Sequence, residues 1–322
     1  MKLTLTPQRW DMVAPFVTAE ETVNHVDVLH VMLEHEGLEG RAETMGVDYF
    51  GETVASLQAE LSALDPLAIE QLDREAVHTL LPPGGSRNGL DCALWDLEAK
   101  ATGKPVWQLA QMSRPRALTT AFTVVLDGAD AMAHAATQAR VFPLLKVKLG
   151  SREGVLADVT RLREIRHARP DAKLIVDANE GWRLQELARY AHLLAAHDVM
   201  FFEQPVATRE QDALSDIDLP FCADESVHET SDLENLPPAY GWVNVKLDKA
   251  GGFTQALEMV KAAKSRNLNV MIGCMVASSL SIAPAHLLAQ LADLADLDGP
   301  LWLNEERPNR LVFDGPLVSP PA

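Results

Sequence analysis

Three lysines and three carboxylates stand at the ends of short apolar runs along this 322-residue chain. Lys146 and Lys148 close the first such run, Asp177 the second, Glu203 the third, Asp224 the fourth and Lys246 the fifth. In an extended strand, side chains two residues apart share a face, so the ammonium groups of Lys146 and Lys148 point the same way. Asn179 and Asn244 stand two residues from Asp177 and Lys246 and share their faces. Three carboxylates that converge with open positions suit a hard divalent cation such as Mg²⁺, which takes oxygen ligands and keeps room for substrate. Lysines on both sides of a bound carbon acid can remove a proton from one face and return one to the other. Singly, each residue has a plainer reading: a strand-end carboxylate caps the following helix, and a lone strand lysine is a solvated charge. Their occurrence in order on successive strands favours catalysis.

The elements that must position them begin near residue 118. Short apolar runs at 120–126, 144–149, 173–177, 199–203, 219–224, 242–246, 270–273 and 297–303 read as eight strands. Amphipathic stretches such as 154–168 and 254–266 fill the intervals as helices. A repeat of roughly 20–30 residues is that of a βα unit in a parallel barrel. A doubly wound open sheet would carry a G-x-G-x-x-G turn after its first strand, and none occurs. In an eight-strand ring, strands three, four and five are neighbours, so Asp177, Glu203 and Asp224 converge. Strands two and six are opposite, so Lys148 faces Lys246. The expected fold is therefore α/β, with an α+β capping domain over 1–115, a barrel over 116–303 and a tail over 304–322 returning to the cap. Within the cap, residues 26–33 read as a strand with a turn signal at Gly37 and Gly40, and 57–80 and 88–101 read as helices, the second ended at Gly103-Lys104-Pro105.

Net charge is −18, from 46 acidic and 28 basic residues. Such a surface repels phosphate backbones and anionic headgroups, which disfavours nucleic-acid and membrane partners. Cys92, Cys222 and Cys274 are sparse, odd in number and without CxxC spacing, so neither a disulfide framework nor a zinc site is expected. No signal-peptide core and no apolar run of roughly 20 residues appears. A cytoplasmic location is the expectation.

The series Lys146-Val147-Lys148, Asp177-Ala178-Asn179, Glu203-Gln204-Pro205, Ala223-Asp224-Glu225-Ser226 and Asn244-Val245-Lys246 resembles the muconate-lactonising branch of the enolase superfamily. Residues 87–97 resemble that family's capping helix. Ile272-Gly273-Cys274-Met275-Val276 and Asp296-Leu297-Asp298-Gly299-Pro300-Leu301 are similar to the Gly-Cys-Met and Asp-x-Asp motifs of its dipeptide epimerases. The resemblance implies a (β/α)7β modified TIM barrel with one Mg²⁺ per chain on Asp177, Glu203 and Asp224. It implies Lys148 and Lys246 as opposed acid/base groups, Lys146 as the electrostatic stabiliser of an enolate, and Asn179 and Asn244 as orienting residues. Asp296 and Asp298, two apart on the last strand, would bind the ammonium group of a dipeptide, with Cys274, Met275 and Thr123 also touching substrate. A free lysine, of pKa about 10.4, is a poor base at neutral pH, and neighbouring cations are expected to lower it. N-acylamino-acid racemases, cycloisomerases and o-succinylbenzoate synthases share the lysines and acids without needing the aspartate pair. A non-catalytic ligand-binding barrel would need no lysine pair.

Members of the family specific for Ala-Glu carry an arginine in the early capping loop. Here loops 16–23 and 43–52 hold Glu20, Glu21 and Asp48 and no arginine. A cationic or apolar side chain on the epimerised residue is therefore expected over an acidic one. The plainer reading is that Glu20 and Glu21 face water or cap a turn, since Thr18-x-x-Glu21 has the spacing of a capping box. The identity of the dipeptide and the oligomeric state, a homo-oligomer included, stay open at this point.

Overall fold

The computed structural model describes residues 1–320. It opens on a three-stranded antiparallel sheet of β1 (Lys2–Val17), β2 (Thr22–His35) and β3 (Leu38–Thr44). The long β1 was not among the expected strands. Pro7 and Pro15 break its pattern, and β1 tolerates them as the edge of the sheet, with a register shift between Asp11 and Phe16. The strand expected at 26–33 is longer, and Gly37 and Gly40 do not share a turn. Glu36 and Gly37 form the hairpin loop by themselves, with φ of 51° and 80°, a geometry that matches the twist of the flanking strands. Gly40 lies inside β3, where a Cβ would sit 2.1 Å from the carbonyl oxygen of Ala93.

The segment expected as one helix over 57–80 is three: α1 (Val54–Ser62), α2 (Pro66–Glu70) and α3 (Arg74–Leu80). Asp65 accepts the Leu67 N–H (2.9 Å) with Pro66 in the first turn, and Asp73 accepts the Ala76 N–H (2.7 Å), so each restarts the helix. α4 (Gly85–Thr102) stops at Gly103, in the left-handed region at φ 66°. Leu29, Val31 and Leu33 pack with Leu57, Leu61, Leu90 and Leu94 into a core separate from that of the barrel.

After α5 (Val106–Leu109) and the short β4 (Leu118–Thr119), eight parallel strands follow in chain order. They are β5 (Phe122–Val124), β6 (Leu144–Lys148), β7 (Lys173–Asp177), β8 (Val199–Glu203), β9 (Phe221–Ala223), β10 (Tyr240–Val245), β11 (Asn269–Ile272) and β12 (Leu294–Ala295). The Ala121 N–H donates to the Ala295 carbonyl (2.8 Å) and joins the two ends of the ring. Around it lie α6 (Ala129–Gln138), α7 (Val155–Ala168), α8 (Leu184–Ala195), α9 (Leu247–Ala250), α10 (Phe253–Ser265) and α11 (Ser279–Ala289). The 3-10 helices Thr208–Asp216 and Thr230–Glu234 fill the fourth and fifth connections. Eight strands with seven helical connections make a (β/α)7β barrel.

The last strand is not at 297–303. It ends at Ala295, and Gly299-Pro300 turns the chain into the 3-10 helix Gly299–Trp302, because proline has no N–H to extend a ladder. Leu303 then bridges antiparallel to Met12, and Arg307 Nε donates to Glu43 Oε2 (2.9 Å), so the tail meets the capping sheet. The described residues finish with a hairpin of β13 (Val312–Asp314) and β14 (Leu317–Ser319), which pairs with β4.

The two-residue alternation of the strands decides what enters the barrel. Ala121, Leu144, Ile175, Phe201, Cys222 and Met271 form a buried apolar floor, joined by Trp242 and Leu294. Two residues further along each strand stand Thr123, Lys146, Asp177, Glu203, Asp224, Asn244, Gly273 and Asp296. The residues between them on the other face, Leu145, Val176, Phe202, Ala223 and Val243, pack outward under the helices. A polar layer thus rests on an apolar plug.

Candidate active site

Asp177, Glu203 and Asp224 are buried, with one carboxylate oxygen of each lying within 4.8 Å of the others. Their register is set by the sheet: Asp177 pairs with Glu203 across β7 and β8, and Lys148 with Asp177 across β6 and β7. Glu203 Oε1 accepts from Asn244 Nδ2 (2.6 Å) and Lys146 Nζ (3.2 Å). Its Oε2 lies 2.9 Å from Lys146 Nζ, yet off any hydrogen-bond axis, and is left without a hydrogen-bond partner. Burial and the Asp177 carboxylate push the Glu203 pKa up to about 8. Burial also works against the charge on Asp177, but Lys148 and Lys146 overcome it and bring the pKa down to about 2. Three buried oxygen donors, of which Glu203 has both an unused lone-pair direction and a raised pKa, fit a hard divalent cation.

The lysines surround this cluster. Lys146 Nζ reaches Asp177 Oδ2 (3.0 Å), Glu203 Oε2 (2.9 Å) and Asp296 Oδ2 (2.9 Å). Lys148 Nζ donates to Asp177 Oδ2 (2.7 Å) and Asn179 Oδ1 (3.0 Å). Across the ring, Lys246 Nζ donates to Asp224 Oδ2 (2.6 Å). For Lys246 and Lys146 the expectation of a lowered pKa is not met within the protein's own charges. Burial opposes the ammonium of Lys246, but Asp224, with Glu203 and Glu225, outweighs it and raises the pKa. For Lys146 too, burial is overcome, by Asp296, Glu203 and Asp177, and the pKa lies well above the ordinary value.

A cavity of about 830 Å³ opens over the cluster between barrel and cap. Thr123, Lys146, Lys148, Asn179, Lys246, Cys274, Met275, Asp296 and Asp298 face it from the barrel, and Glu20, Glu21 and Asp48 from the cap. Asp296 and Asp298 are both 4% exposed and follow the last strand rather than lying on it. Asp298 Oδ2 accepts the Thr123 N–H (2.7 Å) and Trp302 Nε1–H (3.2 Å), so Thr123 holds Asp298 in place. Asp296 Oδ1 is buried without a partner. Burial and Asp296 push Asp298 up to about 6, and burial pushes the Cys274 thiol well up. In the cap, Thr18 Oγ1 accepts the N–H groups of Glu20 and Glu21 (3.2 Å each) and closes a strand turn. Glu20 and Glu21 are exposed and Thr18 caps the turn, as the plainer reading has it, although no helix starts there; both residues also line the cavity.

The N-terminal domain model of the mandelate racemase/muconate lactonizing enzymes matches residues 1–110, and the enolase C-terminal domain-like model matches residues 129–320. The chain belongs to this family. Within the family it is 40% identical over 301 residues to the L-Ala-D/L-Glu epimerase of Escherichia coli, covering 92% of each chain. Among solved structures, an enolase family member from Agrobacterium tumefaciens with bound sodium and L-Ala-L-Glu superposes with a TM-score of 0.94 at 38% identity, over 99% of this chain and 97% of that one. A dipeptide epimerase from Enterococcus faecalis, complexed with Mg and L-Leu-L-Tyr, superposes at 0.88 and 25% identity, over 98% and 95%. The acidic triad is of the kind that this superfamily uses for a divalent metal.

Three residues of this family member's site had no role in the sequence expectations. Lys249 is fully buried and touches Asp224. Glu225 accepts from Asn179 Nδ2 (3.2 Å) through Oε1 and lines the cavity. Arg9 also lines the cavity, but Asp27 holds its guanidinium through two bonds (2.7 and 2.9 Å). Glu225 and Asp224 are adjacent, a signal that was available; Arg9 lies in the strand that the sequence pattern did not show.

Proposed function

We propose that the protein is a dipeptide epimerase that inverts the α-carbon of the C-terminal residue by proton transfer between Lys148 and Lys246. The observation that carries this reading is the placement of those lysines on opposite strands of the ring, with three buried carboxylates on the strands between. Asp177, Glu203 and Asp224 would hold one Mg²⁺ per chain. When bound, Mg²⁺ supplies positive charge for the substrate carboxylate and so lowers the cost of removing the neighbouring α-proton.

The chain's own groups do the rest. One lysine, neutral at Nζ, accepts the α-proton, while the other, charged, donates from the opposite face. Each lysine is paired with a metal-site carboxylate, which places both Nζ atoms beside the metal site and at the cavity. Lys146 places its ammonium where negative charge develops on the substrate. Asn179 orients Lys148 (3.0 Å), and Asn244 fixes Glu203 (2.6 Å). Asp296, with its unpartnered oxygen, and Asp298 would receive the substrate's ammonium group beside Cys274, Met275 and Thr123.

The side chain of the inverted residue would lie toward the cap. Glu20, Glu21 and Asp48 stand there, and the nearby arginine is already satisfied by Asp27. An acidic side chain would meet like charge, whereas a cationic or apolar one would not. The test is kcat/KM for L-Ala-L-Lys, L-Ala-L-Leu, L-Ala-L-Glu and an N-acetylated L-Ala-L-Leu. The expected order places Ala-Lys or Ala-Leu above Ala-Glu by about tenfold, a difference of about 1.4 kcal/mol. The acetylated dipeptide should lose at least as much, because a charge-assisted hydrogen bond is worth about 1.5–3 kcal/mol. Preference for Ala-Glu would overturn the loop reading; preference for the acetylated compound would point to an N-acylamino-acid racemase.

A further inference from the structure

Lys249 is fully buried, and the acid/base chemistry does not use it. It lies three residues after Lys246, on the single turn α9, and points back beneath β9 and β10. Its Nζ donates to the backbone carbonyls of Asp224 (2.6 Å), Val227 (3.1 Å) and Asn244 (3.1 Å), and it pairs with Asp224 Oδ1. The other oxygen of that carboxylate, Oδ2, is the one that meets Lys246 (2.6 Å). The two oxygens of Asp224 are therefore divided between two lysines with different surroundings: Lys246 lines the cavity, and Lys249 is sealed from it.

We propose that Lys249 is a positioning residue for the metal site, fixing the rotation of the Asp224 carboxylate so that Oδ2 is presented to the divalent cation and to Lys246. The inference rests on the metal-dependent reading above and deepens it. An aspartate on a strand end is free to turn about its Cα–Cβ and Cβ–Cγ bonds. One ammonium holding both its carboxylate and its own carbonyl removes that freedom. The same ammonium ties Val227 and Asn244 to that point, so the loop after β9 and the end of β10 are set relative to one another. Partners of a ligand's outer oxygen orient it, and their loss commonly costs about 10–100-fold in metal affinity.

α9 is in turn held by the cap. Arg87 Nη2 donates to the Ala250 carbonyl (2.7 Å) and Nε to that of Gly251 (3.2 Å), while Asn88 Nδ2 donates to Asp248 Oδ1 (2.9 Å). The turn that carries Lys249 is thus braced from the far side by α4, and the position of its ammonium does not depend on the metal ligands alone.

The experiment is calorimetric titration of Mg²⁺ into the wild-type protein and into Lys249→Met, with thermal melting of both. Lys249→Gln serves as a second variant: it keeps neutral donors for the buried carbonyls should the methionine form fold poorly. The expected result is a Kd for Mg²⁺ raised at least about tenfold in either folded variant. A Kd within twofold of wild type, together with a lowered melting temperature, would make Lys249 a merely structural residue and overturn the proposal. A tighter Kd would overturn it as well, since Lys249 would then be a competitor for Asp224. Wild-type protein that binds no Mg²⁺ would instead remove the metal reading itself, and this inference with it.

Discussion

Lys146 and Lys148 are two residues apart on one strand, yet they touch different things. Lys146 is enclosed by Asp177, Glu203 and Asp296, whereas Lys148 meets one carboxylate and one amide at the cavity wall. A group surrounded by three carboxylates holds its proton too firmly to exchange it, which suits a fixed positive charge. Lys148 touches a single carboxylate and lines the cavity, where a substrate carbon can approach its Nζ. Lys246 has the same single-carboxylate arrangement on the opposite side. Replacing Lys148 or Lys246 by alanine should lower the epimerisation kcat by about 10²–10⁴-fold, the usual contribution of an acid or base. Exchange of the α-proton with solvent should survive in each variant for one epimer only, and for a different one in each, as read by mass spectrometry of each separated stereoisomer. Epimerisation by Lys246→Ala at the wild-type rate would rule out two bases. The placement of these residues was legible in the sequence because strand alternation is strict, and a charged residue two or four places after an apolar floor residue must face the mouth. Lys249 was not, because three places after Lys246 on a one-turn helix it has the same local pattern as a solvated helical lysine.

The elements themselves were legible to different degrees, for physical reasons. The barrel strands β6, β7 and β8 coincide with their apolar runs because both faces of these strands are buried. β1 escaped notice because an edge strand with one open face and two prolines has no such run. The break between α1, α2 and α3 was written in Asp65-Pro66 and Asp73, whose capping roles are weaker signals than the leucine spacing that spans them. β12 was misplaced because Leu297 to Leu303 is apolar for another reason: Leu297 and Leu303 pack in separate cores on either side of a 3-10 turn. One close approach between elements gives a direct check of the cap. β3 and α4 meet where Gly40 lies against Ala93 and Leu97, and a Cβ there would come within 2.6 Å of Leu97 Cβ. Gly40→Ala should destabilise the protein by about 1–3 kcal/mol, the ordinary cost of overpacking, and lower its melting temperature. An unchanged melting temperature would mean that the sheet and helix are not in the contact described.

At the scale of the whole molecule, barrel and cap meet around one polar cavity. The barrel supplies the lysines, the carboxylates and the aspartate pair, and the cap supplies the acidic loops that face them. Glu43 of β3 accepts from the Ser278 N–H and Oγ–H (2.7 Å each) and from Arg307 of the tail, so cap, strand-seven loop and tail are locked where Cys274 and Met275 line the site. The polar layer inside the ring, the fixed register of Lys148 with Asp177 and Glu203, and the position of Lys246 across from them lead to one claim: a proton leaves one face of a carbon and another arrives on the opposite face. The most direct test is to follow a single L,L-dipeptide, such as L-Ala-L-Leu, in D₂O with Mg²⁺ and to read the label in substrate and product separately at early times. The account predicts that the newly formed epimer carries one deuteron at the α-carbon of its second residue from the first turnover, and that neither epimerisation nor labelling occurs in excess chelator. Epimer formed with its original proton, or labelling that proceeds unchanged without divalent metal, would contradict it.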